Sequence, residues 1–79
     1  MNNNLLLIGI YKGLNNNHLL LEMTNNSNSK IIELKISKNL KKQILQFLDG
    51  DNLIGIRGYV EFNDIIELVA TKIFLLSNN

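Results

Sequence analysis

The apolar residues change period twice along the chain, and that double change limits the folds open to it. From Ile31 to Ile36 the pattern alternates, with Ile32, Leu34 and Ile36 on one face and Glu33 and Lys35 on the other. Between Ser37 and Leu48 the apolar residues Leu40, Ile44, Phe47 and Leu48 follow a helical stripe. Ser37 offers a hydroxyl to cap the start, and Gly50 stands where a left-handed residue closes a helix. From Leu53 to Phe62 the alternation returns. Ile54, Ile56, Gly58, Val60 and Phe62 take one side, and Leu53, Gly55, Arg57, Tyr59 and Glu61 the other.

Strands are expected on either side of this core pattern. Leu5 to Tyr11 is a short apolar run bounded by Asn clusters, and its Gly9 predicts a bulge or a sharp bend. Asn15-Asn16-Asn17 is a turn signal, leading into a second strand from His18 to Thr24 with Leu19, Leu21 and Met23 on one side. Asn25 to Ser29 is the next loop. Asn63-Asp64 is a tight turn that makes a hairpin of the last two strands, the final one running from Ile65 to Leu76. The predicted order is strand, strand, strand, helix, strand, strand. Residues 1–79 read as a single domain, with 1–4 and 77–79 as flexible ends.

Composition sets limits on what holds such a domain together. With 79 residues, the chain buries only about 60% of its unfolded surface on folding. No Cys is present, so neither a disulfide nor a thiolate-bound zinc reinforces the core. A partner subunit is the remaining helper. The net charge of +1 makes the chain only mildly basic. No apolar run approaches the roughly 18 residues a membrane span needs, and the first residues lack the basic segment of a signal peptide. A cytoplasmic location is the expectation.

Three meandering strands, a helix and a closing hairpin follow the chain order of the OB-fold, a five-stranded Greek-key β-barrel. In that fold the helix between strands three and four plugs one end, and the stripe over residues 40–48 supplies such a plug. The opening Met1-Asn2 with Leu5-Leu6-Leu7-Ile8-Gly9 resembles the first strand of bacterial single-stranded-DNA-binding proteins. Phe47-Leu48, then Gly50-Asp51-Asn52-Leu53-Ile54-Gly55-Ile56-Arg57-Gly58-Tyr59-Val60, is similar to that family's passage from the helix into strand four. Val69 to Leu76 resembles its closing strand. The chain is shorter than ordinary members and is closer to compact, tail-less relatives and small primosomal OB proteins. The resemblance implies a barrel that binds single strands and assembles into homodimers or homotetramers. Family members often carry aromatics on strand three. Glu33 and Lys35 stand there in this chain, which moves the stacking role to strand four.

Binding an unpaired strand without sequence preference takes a basic groove for the backbone and aromatic faces for the bases. Arg57 and Tyr59 lie two apart on one face of strand four and supply one of each. Gly55 on the same face leaves room for close approach. Lys35, Lys30 and Lys12 are candidates to line the same groove, with solubility the competing role for Lys30 and Lys12. Lys38, Lys41 and Lys42 fall on the solvated side of the helix, Tyr11 and Phe62 suit core or rim packing, and His18 suits a strand end.

Strand one has apolar residues on both faces: Leu5, Leu7 and Tyr11 one way, Leu6, Ile8 and Ile10 the other. A strand with one wet face should be polar on that face. Leu6, Ile8 and Ile10 are therefore expected at a contact between copies of the chain.

Catalysis has little to stand on. There is no Cys, a single His without an orienting partner, carboxylates placed at turns, and no glycine-rich phosphate loop before the helix. No cofactor or metal is expected. The reading is non-catalytic binding of single-stranded DNA, with RNA the alternative strand, in replication, repair or recombination. The competing class is an OB-fold interaction module, an accessory of a primosome or replisome that touches no nucleic acid.

Overall fold

A computed structural model of the chain describes residues 3–77. Five strands and one helix follow in the expected order: β1 (Asn4–Asn15), β2 (His18–Asn25), β3 (Asn28–Lys35), α1 (Lys38–Phe47), β4 (Leu53–Phe62) and β5 (Ile66–Ser77). The strands form one sheet that closes in a ring in the order β1-β2-β3-β5-β4. All neighbours are antiparallel except β3 and β5, which meet in parallel at Lys35 and Val69. Of the ends expected to be flexible, Asn4 and Ser77 belong to strands, and the Asn3 carbonyl accepts a hydrogen bond from Val60 N–H. Residues 1–2 and 78–79 of those ends lie outside the described residues. Among the described residues no helix is long and apolar enough to cross a membrane.

Strand one serves two partners, which closes the ring. Asn4 to Ile10 pair with β4, and Ile10 to Asn15 pair with β2. At Gly9 an added Cβ would stand 2.5 Å from the Glu22 carbonyl oxygen, so only glycine lets β2 come this close. The register irregularity itself falls between Tyr11 and Gly13, not at Gly9. Gly13, with φ of 120°, carries it and lets β1 run on to Asn15. The hairpin loops are Asn16-Asn17 and Asn26-Ser27, and each opens on an Asn with positive φ. Asparagine tolerates that conformation better than other residues with a Cβ.

The core follows from the alternation. Leu19, Leu21, Leu34, Ile54 and Ile56 are fully buried inside the ring, joined by Tyr11, Ile36 and Ala70. Leu40 and Ile44 of α1 enter the same cluster, with Leu48 packed against it. The Ser37 hydroxyl accepts from Leu40 N–H at 3.1 Å, an N-cap worth about 1 kcal/mol. Two expectations are corrected at the helix. Phe47 belongs to the stripe by spacing but is 69% exposed. Gly50 is left-handed, yet the helix ends on an extended Leu48 and Gly50 lies in the following loop. That loop is held by Asn52, which is buried. Its side-chain oxygen accepts from Asp49 N–H, and its carbonyl accepts from Tyr11 N–H on β1.

Beyond the ring the alternation loses its core. Phe62, expected in core or rim packing, shares the phase of Ile54 and Ile56 but stands exposed with Ile65 and Ile66 where the β4–β5 hairpin projects. At Gly58 the two strands crowd, and an added Cβ would collide with the Val69 carbonyl. Gly58→Ala is expected to destabilise the protein by about 3 kcal/mol, since backbone atoms cannot move aside. Gly55→Ala meets only ordinary contacts, the nearest at 3.6 Å, and should stay within about 1 kcal/mol of the parent. Urea denaturation midpoints of the two variants check the difference.

Candidate nucleic-acid interface

Residues opposite one another in a sheet share a face, so the registers map the outer wall row by row. Around β4 the first row is Ile8, Gly55 and Phe74; the second is Leu6, Arg57 and Lys72. The third is Asn4, Tyr59 and Val69, and it continues through the parallel contact to Lys35 on β3. Arg57 and Tyr59 therefore stand side by side on the outside, as the alternation of strand four predicts. Arg57 is exposed, and Tyr59 keeps 39% of its surface open.

Lys72 is the candidate residue on this face that the sequence reading misses. Ala70 and Ile73 both pack toward the core although they are three apart, because the register of β5 slips opposite Arg57 and Gly58. The slip turns Lys72 outward beside Arg57. The Thr71 hydroxyl holds this irregular point by donating to the Arg57 carbonyl at 3.1 Å. Among the described residues neither Arg57 nor Lys72 has a carboxylate within 4.0 Å. A recess of about 340 Å³ opens beside them, lined by Asn4, Leu5, Leu6, Arg57, Gly58 and Thr71.

The remaining lysines are placed differently. Lys35 reaches Glu61 at 4.0 Å, a long and half-exposed pair that leaves it at the edge of the Tyr59 row. Lys30 pairs with Met23 near the β2–β3 turn, on the opposite face of β3 from Lys35. Lys12 sits at the bulge of β1, where it donates to Asp51 at 2.9 Å and lies 3.8 Å from Glu22. The Asp51 hydrogen bond holds its ammonium above the ordinary value, so the charge is retained and locally answered. The structure thus brings Arg57, Tyr59, Lys72 and Lys35 together. Lys30 and Lys12 stand apart from them. His18 opens β2 with its Nε2 3.6 Å from the Glu67 carboxylate.

The residues expected at a contact between copies lie on the same wall. Leu6 and Ile8 are 65% and 56% exposed, while Ile10 is half-buried. Phe74 and Leu76 of β5 join them, and the missing side chain of Gly55 leaves a shallow floor between. The wall has two halves: an apolar one centred on Gly55, and one with a guanidinium, an ammonium and a phenol.

Tyr11, by contrast, is part of the core, and burial raises its phenol above the usual value. A raised phenol binds its proton more tightly when folded, so ionisation of the unfolded chain above about pH 10 draws stability away. Tyr11→Phe is expected to remove part of the loss of stability between about pH 10 and 11 while leaving neutral stability little changed. Urea midpoints at the two pH values give the readout. Compared with known proteins, the chain matches no family model and no curated relative.

Proposed function

We propose that this chain is a non-catalytic binder of single-stranded DNA built on an OB-type Greek-key barrel. The ring order, the parallel β3–β5 contact and the helix between β3 and β4 support that fold. The observation that carries the function is the Arg57–Tyr59 pair on the outer wall, extended by Lys72 in the Arg57 row and Lys35 in the Tyr59 row. Arg57 and Lys72 meet backbone phosphates, and Tyr59 offers a ring face to a base. Such recognition is indifferent to sequence because every base has a π-face.

The same geometry supports self-association through strand one. Val60 N–H bonds Asn3 and Tyr11 N–H bonds Asn52, so odd-numbered residues of β1 turn their backbone groups toward β4. Leu6 and Ile8 then turn theirs to the other side, where β2 does not begin to pair until Ile10. No charged side chain lies between Asn4 and Tyr11 to discourage another strand from pairing. A second copy laid along this edge covers Leu6 and Ile8, giving a dimer or, by stacking, a tetramer. A protein-interaction module without nucleic acid is the second reading, favoured by the apolar half of the wall.

Titration of a labelled oligothymidine at low and moderate salt separates the two readings. A binder loses affinity as salt rises, with a log–log slope of about 0.7 per contacted phosphate. Tyr59→Ala is expected to cost about 1–3 kcal/mol of binding, Arg57→Ala to lower the slope by about 0.7, and Lys41→Ala to change neither. No binding at low salt would leave the interaction module as the reading. For strand one, Ile8→Asp is expected to lower the sedimenting mass while the circular dichroism stays unchanged. An unaltered mass would remove strand one from the contact.

A further inference from the structure

Past Tyr59 the outer wall changes sign. Glu61 lies two residues beyond Tyr59 on the same face of β4, and its register partner on β5 is Glu67. Like charges directly opposite one another in a sheet repel. Each acid is met by a basic side chain from beyond the β3–β5 seam. Lys35 stands 4.0 Å from Glu61, and His18 Nε2 stands 3.6 Å from Glu67. Lys35 and His18 are themselves register partners, on β3 and β2. The four side chains form one cluster over the seam, where Lys35 pairs with Val69.

Distance decides what this cluster acts on. Two residues of strand span about 7 Å, which puts Glu61 one step from the Tyr59 row and two from Arg57. Salt screens charges farther apart than roughly 10 Å, so Glu61 leaves Arg57 intact and acts on whatever crosses Tyr59. A phosphate drawn to Lys35 must settle beside both carboxylates. It also takes Lys35 from Glu61 and leaves the two acids facing each other. The Lys35–Glu61 pair is long and half-exposed, hence weak alone. The opposed acids behind it make the exchange unfavourable. On the far side of Arg57, the row of Ile8, Gly55 and Phe74 carries no charge.

We infer that Glu61, backed by Glu67, withholds Lys35 from the bound strand and ends its track at Tyr59. Glu61 is a positioning residue: it acts through Lys35 and sets how many phosphates the wall neutralises. The inference rests on the single-strand reading and deepens it, limiting each copy to a short segment held by Arg57, Lys72 and Tyr59.

Salt-dependent titration of a labelled oligothymidine tests it with four chains: the parent, Glu61→Gln, Lys35→Ala and the two changes together. Glutamine keeps the size of the side chain and removes its charge, and circular dichroism checks that each chain keeps its fold. Glu61→Gln is expected to raise affinity at low salt and to steepen the log–log slope by about 0.7, one phosphate more. Lys35→Ala should then cost the Glu61→Gln chain about 0.7 more in slope than it costs the parent. Equal losses would overturn the inference, because a general gain from one carboxylate fewer survives the loss of Lys35. So would an unchanged slope for Glu61→Gln while the parent binds. A parent that fails to bind at low salt overturns the single-strand reading itself, and the inference falls with it.

Discussion

The close approach of β2 to β1 at Gly9 is the constraint on which the rest of the structure depends. A strand that pairs with β4 over its first half and β2 over its second must leave one neighbour for the other within a few residues. Here the handover occurs at Ile10, which pairs with both Glu22 and Leu53. With a side chain at Gly9 the Glu22 carbonyl could not come so near, and the sheet would stay open. Closure places Leu19, Leu21, Leu34, Ile54 and Ile56 around one interior, and Leu40 and Ile44 of the helix then have a single apolar surface to cover. The Asn52 bonds tie the helix exit to β1 just past the handover, so plug and closure support one another.

Much of this was legible in the sequence because alternation reports directly on a sheet with one dry face. The alternating sets of β2, β3 and the first half of β4 point as their spacing requires. The reading failed where the physical premise failed. Phe62 keeps the inward phase but lies where the hairpin has outrun the core. Phe47 keeps the helical spacing but sits at the lip of the stripe, where β5 does not reach over it. Lys72 was missed for another reason: a register slip reverses the phase of β5 midway, and no residue type announces it. The apolar run read as strand one stops at Tyr11, whereas a bulge carries the strand past it to Asn15.

The candidate site shows the same division. Arg57 and Tyr59 lie on one uninterrupted stretch of β4, and their common face followed from spacing alone. The lysines divide: one placement needs three dimensions, and one follows from strand spacing. Lys12 is far in sequence from Asp51, yet the β1 bulge brings the two into a hydrogen bond. Lys30 and Lys35 sit on one strand but an odd number of residues apart, which sends them to opposite faces.

A net charge of +1 is compatible with a local basic pair because the acids stand away from Arg57 and Lys72, the nearest on their face being Glu61, which pairs with Lys35 at 4.0 Å. Asp49 and Asp51 follow the helix, while Glu61, Asp64 and Glu67 surround the hairpin tip, leaving Arg57 and Lys72 without a carboxylate within reach among the described residues. Salt screens opposite charges separated by more than roughly 10 Å. What an approaching polyanion meets is therefore the local pair and not the molecular sum.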